Sequence, residues 1–80
     1  MRLSAFLLRR LVYENCYGQK QMLLENVAKS MRHEKHYAEQ VLKKLIAQGL
    51  VLSESKHYGV HVWLNTDRIS EIKQIILEET

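Results

Sequence analysis

The sequence predicts an α+β domain, mainly helical: a three-helix core, a two-stranded hairpin and one further helix. Two observations predict the core. Apolar residues fall at Leu24, Val27, Ala28 and Met31, then at Ala38, Val41, Leu42, Leu45 and Ile46, which is the i, i+3, i+4, i+7 spacing of helices packed by one face. The segment 32–37 between these sets is short, so the two helices must cross sharply. A third observation predicts the hairpin. After Lys56-His57-Tyr58-Gly59, the residues Val60, Val62 and Leu64 alternate with His61 and Trp63, a strand period beside a Gly-containing turn.

Each element can be justified in order. The first helix is expected over 2–16, with Leu3, Phe6, Leu7, Leu11 and Val12 on its apolar face and Leu8 widening it; Tyr17-Gly18 ends it. Gln19 to Leu23 reads either as a short edge strand or as the lead-in to helix two. Helix two is placed at 23–31 and helix three at 33–48. Gly49 is the expected left-handed residue that closes helix three. A strand then runs from Leu50 to Ser55, so the hairpin occupies 50–64. Asn65 or Thr66 caps a last helix over 66–79, with Asp67 near its positive end. Ile69, Ile72, Ile75, Ile76 and Leu77 form the apolar stripe of that helix.

Composition narrows the function classes. The chain has 80 residues and a net charge of +3, enough for one domain spanning 1–80 with a single modest core. The mild positive charge permits nucleic acid as a partner without requiring it. One cysteine precludes an internal disulfide and fits a reducing, intracellular and cytoplasmic setting. No apolar stretch approaches a membrane span. Arg9 and Arg10 interrupt the early apolar run and no cleavage site follows, so no signal peptide is expected. No Gly-rich phosphate loop or paired-acid motif is present, so no enzyme activity is expected. The pairs His33/His36 and His57/His61 match no zinc spacing, and no metal or cofactor is expected. Cys16 reads as a small buried residue rather than a redox sensor.

The order helix, helix, helix, strand, strand, helix, with small Ala28 ten residues before Ala38, resembles the winged helix-turn-helix DNA-binding family. Three features depart from it: Arg32 stands where Gly is frequent, His33 stands where an apolar residue is usual, and helix three has no Ser, Thr or Asp cap. They imply a longer or looser turn, and Glu34 in the first turn partly offsets the missing cap through the helix dipole. The resemblance implies sequence-specific binding of double-stranded DNA by a small dimeric transcriptional regulator, with helix three in the major groove.

On that reading, Lys35, His36, Glu39, Gln40 and Lys43 lie opposite Ala38, Leu42 and Leu45. Lys35, His36 and Gln40 would read bases, Gln40 by pairing with adenine. Glu39 would have to accept from a cytosine amine, since it repels phosphate. Arg32, Lys43 and Lys44 suit phosphates. Tyr37 either donates to a phosphate or packs on helix two. Lys56, His57 and Tyr58 form a wing tip that reaches the minor groove or backbone. The apolar first and last helices either pack on each other or form a homodimer seam through Leu3, Leu7, Ile69, Ile72 and Ile76. A protein–protein interaction module, or a subunit of a larger assembly, is the alternative; the modest charge and Glu39 favour it.

Overall fold

A computed structural model of the chain describes residues 2–79. The elements run α1 (Leu3–Tyr13), β1 (Met22–Leu23), α2 (Leu24–Ala28), α3 (Lys35–Ala47), β2 (Val51–Lys56), β3 (Gly59–Leu64), a 3-10 turn (Thr66–Arg68) and α4 (Ile69–Glu79). The fold class is the expected one, α+β and mainly helical. The ambiguous segment before α2 resolves as a strand. Met22 pairs with Val62 and Leu23 with His61, so the sheet has three antiparallel strands in the order β1-β3-β2. No described helix is long and apolar enough to cross a membrane.

The helices close around one core. Leu7, Leu8 and Leu11 of α1 meet Val27 and Ala28 of α2, Ala38, Leu42 and Leu45 of α3, Val51, Val62 and Leu64 of the sheet, and Ile72 of α4. Ala28 and Ala38 are both fully buried, so the α2–α3 crossing is built on two small side chains, as their spacing predicts. Six residues, 29–34, connect these helices. Met31 N–H donates to the Ala28 carbonyl and Glu34 N–H to the Met31 carbonyl. Arg32 does not take a left-handed conformation; Asn15 is the one described non-glycine residue with positive φ. The six-residue turn therefore asks for no left-handed residue at Arg32, the position where Gly is frequent in the family that the sequence resembles. Glu34 is the N-cap residue of α3 rather than part of its first turn, and its side chain makes no capping bond.

Two helices end by the same device. In α3, Gly49 N–H donates to the Ile46 carbonyl and Leu50 N–H to the Leu45 carbonyl, with Gly49 at φ +79°. This is the Schellman arrangement, completed by the buried Leu45–Leu50 pair. In α1, Asn15 N–H donates to the Val12 carbonyl and Cys16 N–H to the Leu11 carbonyl, with Asn15 at φ 59°. The first helix thus stops before Asn15 and not at Gly18, because Asn tolerates the left-handed cap and Cys16 supplies the buried partner of Leu11. Burial pushes the Cys16 thiol up, away from the reactive thiolate. Gly18 backs onto the Trp63 indole, which covers the edge of the core from the outer face of the sheet.

Asn65 joins the α3–β2 corner to the last helix. Its Oδ1 accepts from Asp67 N–H, its Nδ2 donates to the Gly49 carbonyl at 2.8 Å, and its own N–H donates to the Leu50 carbonyl. Gly49→Ala is expected to cost about 1–2 kcal/mol through the left-handed backbone. The new Cβ would also stand 2.9 Å from Arg68 Nη1, the movable end of a side chain. A thermal melt should show a drop of roughly 5–15 °C for a domain of this size; an unchanged midpoint would contradict the conformational argument.

The last helix packs back on α1. Leu7 and Ile72, expected at a seam between copies, are fully enclosed by the chain's own elements. Leu3, Ile69 and Ile76 are half-buried against the same core. Ile72 is thus taken into the chain's own core, over which α4 lies, while Ile69 and Ile76 keep part of their surface open. Leu77, on the far side of α4, is 74% exposed.

Candidate nucleic-acid interface

The outer surface of α3 follows from its core-facing residues. Ala38, Leu42 and Leu45 are buried, and one turn of helix separates residues three or four apart. His36, Gln40, Lys43, Lys44 and Ala47 accordingly face outward and are exposed. The Gln40 Nε2 lies 3.4 Å from His36 Nε2, one turn away, so the two side chains form a polar pair on this surface. Lys43 and Lys44 make no ion pair among the described residues.

Two residues expected on that surface lie to its side. Lys35 stands three before Ala38 and seven before Leu42, and Glu39 stands three before Leu42 and seven before Ile46. Both therefore lean toward the core and are half-buried. Lys35 Nζ is bound to Glu25 of α2 at 3.2 Å. Glu39 lines a small recess beside the hairpin turn with Leu23, Leu24, Tyr58 and Val60. Its carboxylate is thus not at the centre of the exposed face.

Glu25 sits between two lysines, Lys35 and Lys29, the latter at 3.9 Å. The hydrogen bond and charge of Lys35, helped by Lys29, hold the Glu25 carboxyl below its usual range. This cluster is absent from the sequence expectations. The Glu25–Lys29 spacing of four is a helix-surface signal, but the Glu25–Lys35 contact spans the turn and has no local signature.

Tyr37 does not pack on α2. It is 57% exposed and lines a cleft of about 660 Å³ between α1, α3 and α4, with Arg2, Leu3, Val41, Lys44 and Ile75. Arg32 is exposed in the α2–α3 turn. At the hairpin, Lys56 Nζ donates to Gln21 Oε1 at 2.8 Å. His57 and Tyr58 form the two-residue turn, their rings edge to face at 5.2 Å, with Tyr58 84% exposed.

The charges segregate. Among the described residues Arg2, Arg10, Lys20, Lys29, Lys35 and Arg68 are tied to carboxylates. Of the cations left unpaired, Arg32, Lys43, Lys44 and Lys56 lie on the turn, α3 and the hairpin, while Arg9 lies on α1 and Lys73 on α4. Glu34 and Glu54 share the former region and moderate its potential. No group of three or more His, Cys, Asp or Glu side chains able to hold a metal ion occurs among the described residues. No family model, curated protein or solved structure matches this chain.

Proposed function

We infer that the chain is a winged-helix domain that binds double-stranded DNA through α3, acting as a small transcriptional regulator. The order α1-β1-α2-α3-β2-β3 with β3 at the centre of the sheet supports the winged-helix reading; β2 and β3 form the wing. One observation carries the functional reading: the outward strip of α3 bears Lys43 and Lys44 without carboxylate partners beside the polar pair His36–Gln40. Such a strip combines cations for phosphates with an amide that can pair with a base edge. His36 and Gln40 are the base readers. Lys43, Lys44 and Arg32 hold the backbone, with Lys56, His57 and Tyr58 on the wing.

Lys35 joins this surface only when it leaves Glu25. Glu25→Gln is therefore expected to raise affinity for a DNA duplex and to steepen the dependence of log affinity on log salt by about one. The melting temperature should barely move, since the pair is exposed. An unchanged salt slope would remove Lys35 from the binding surface.

A second reading, a protein-interaction module, is favoured by the cleft beside Tyr37, whose apolar floor of Leu3, Val41 and Ile75 is open to solvent. The deciding experiment is a fluorescence-anisotropy titration of the wild-type chain against a randomised duplex pool at two salt concentrations. Salt-sensitive binding is expected. No binding at the lower salt would overturn the DNA reading and leave the interaction module.

A further inference from the structure

The sheet has one open side. β2 is its terminal strand, and every residue from Leu52 to Lys56 is exposed. In an antiparallel ladder, residues alternate between those whose N–H and C=O point to the neighbour and those whose groups point away. The register fixes which are which. Lys56 and Gly59 flank a two-residue turn, and at the other end Asn65 N–H donates to the Leu50 carbonyl at 3.0 Å. Leu50, Leu52, Glu54 and Lys56 therefore bond toward β3, whereas Ser53 and Ser55 direct both backbone groups to the open edge. An uncovered edge of this kind is a template for another strand.

We propose that this edge pairs, antiparallel and two-fold symmetric, with β2 of a second copy, with Ser55 opposite Ser55. In this register Glu54 faces Lys56 of the second copy and Lys56 faces its Glu54. Leu52 and Tyr58, exposed by 38% and 84% in the monomer, then cover each other twice. Opposite charges directly across a strand pair stabilise it and like charges destabilise it. Registers that keep outward-pointing backbone groups face to face are two residues apart, and the nearest one in either direction puts Glu54 opposite Glu54 or Lys56 opposite Lys56. Sliding further over the body brings the hairpin tip against Gly49 and Leu50, where α3 and the Asn65 side chain occupy the edge. Charge and shape thus select one register. The result is a continuous six-stranded sheet, β1-β3-β2 against β2-β3-β1, which leaves the outer face of α3 uncovered.

The pairing is short, so the association is weak. It is independent of the DNA reading and is tested without DNA, by sedimentation equilibrium of the wild-type chain up to about 1 mM, the range in which weak association registers. Concentration-dependent dimers are expected. Glu54→Lys alone and Lys56→Glu alone should each sediment as monomers, and the two together should restore the dimer. Ser55→Pro should also give monomers with an intact fold by circular dichroism, because the N–H it removes makes no bond within the sheet. A wild-type chain monomeric throughout would overturn the pairing, as would single reversals that dimerise like wild type or a double reversal that fails to recover.

Discussion

Ile72→Glu is expected to unfold the domain. Ile72 has no exposed surface and lies where α4 closes over α1. Truncating a buried aliphatic side chain costs about 2–5 kcal/mol, and an unpaired carboxylate in its place adds a desolvation cost. Natural domains hold only about 5–15 kcal/mol in total, and small ones lie at the lower end. The two contributions together meet that reserve. Far-ultraviolet circular dichroism at 25 °C should show loss of most helical signal, with no cooperative melt remaining. Leu77→Glu, five residues on but on the solvent side of α4, should melt within a few degrees of wild type. The pair separates two accounts of the apolar stripe. A folded, cooperatively melting Ile72→Glu monomer would return Ile72 to a seam between copies; an unfolded one keeps it in the core.

The sequence leaves two covers open for these isoleucines, the first helix or a second copy, and the reason is physical. Periodicity reports which face of a helix is apolar, not what covers it. Ile69, Ile72 and Ile76 define the same stripe whether α1 or a second chain lies against it, and it takes the packing of α4 on α1 to assign Ile72 to the core. Helix ends behaved differently at the two Schellman caps. Gly49 was legible because glycine there has a single physical purpose. Asn15 was not, because asparagine also serves in turns and caps, and Gly18 two residues after Cys16 offered a stronger local signal. β1 was ambiguous for a related reason: a two-residue strand has too few residues to show a period, and its pairing to Val62 and His61 is a long-range property.

The candidate site was readable to the same depth. His36, Gln40 and Lys43 face outward as the helical period requires, because they lie opposite the three buried residues. The sequence reading sets Lys35 and Glu39 beside them, yet each sits one helical turn before a core residue and is drawn to the flank. Glu39 lines the recess beside the hairpin turn, so its carboxylate lies away from the centre of the exposed surface of α3. Lys35 is neutralised by Glu25, a partner on another helix. What the sequence left out in both cases is the second element that meets the flank.

Lys43→Glu/Lys44→Glu is expected to abolish most duplex binding while leaving the fold intact. Both side chains are exposed and neither makes an ion pair among the described residues, so the melting temperature should stay near wild type, as for surface substitutions generally. Removing two phosphate contacts flattens the slope of log affinity against log salt by about two, and reversing the charges adds repulsion, so affinity at low salt should fall on the order of 100-fold or more. The control is Arg9→Glu/Lys73→Glu, which changes the net charge equally at the two unpaired cations on α1 and α4. If the surface of α3 holds the DNA, this control loses far less affinity and retains the wild-type slope. If both double variants weaken binding alike, attraction by net charge explains the wild-type titration, and α3 has no special part in it.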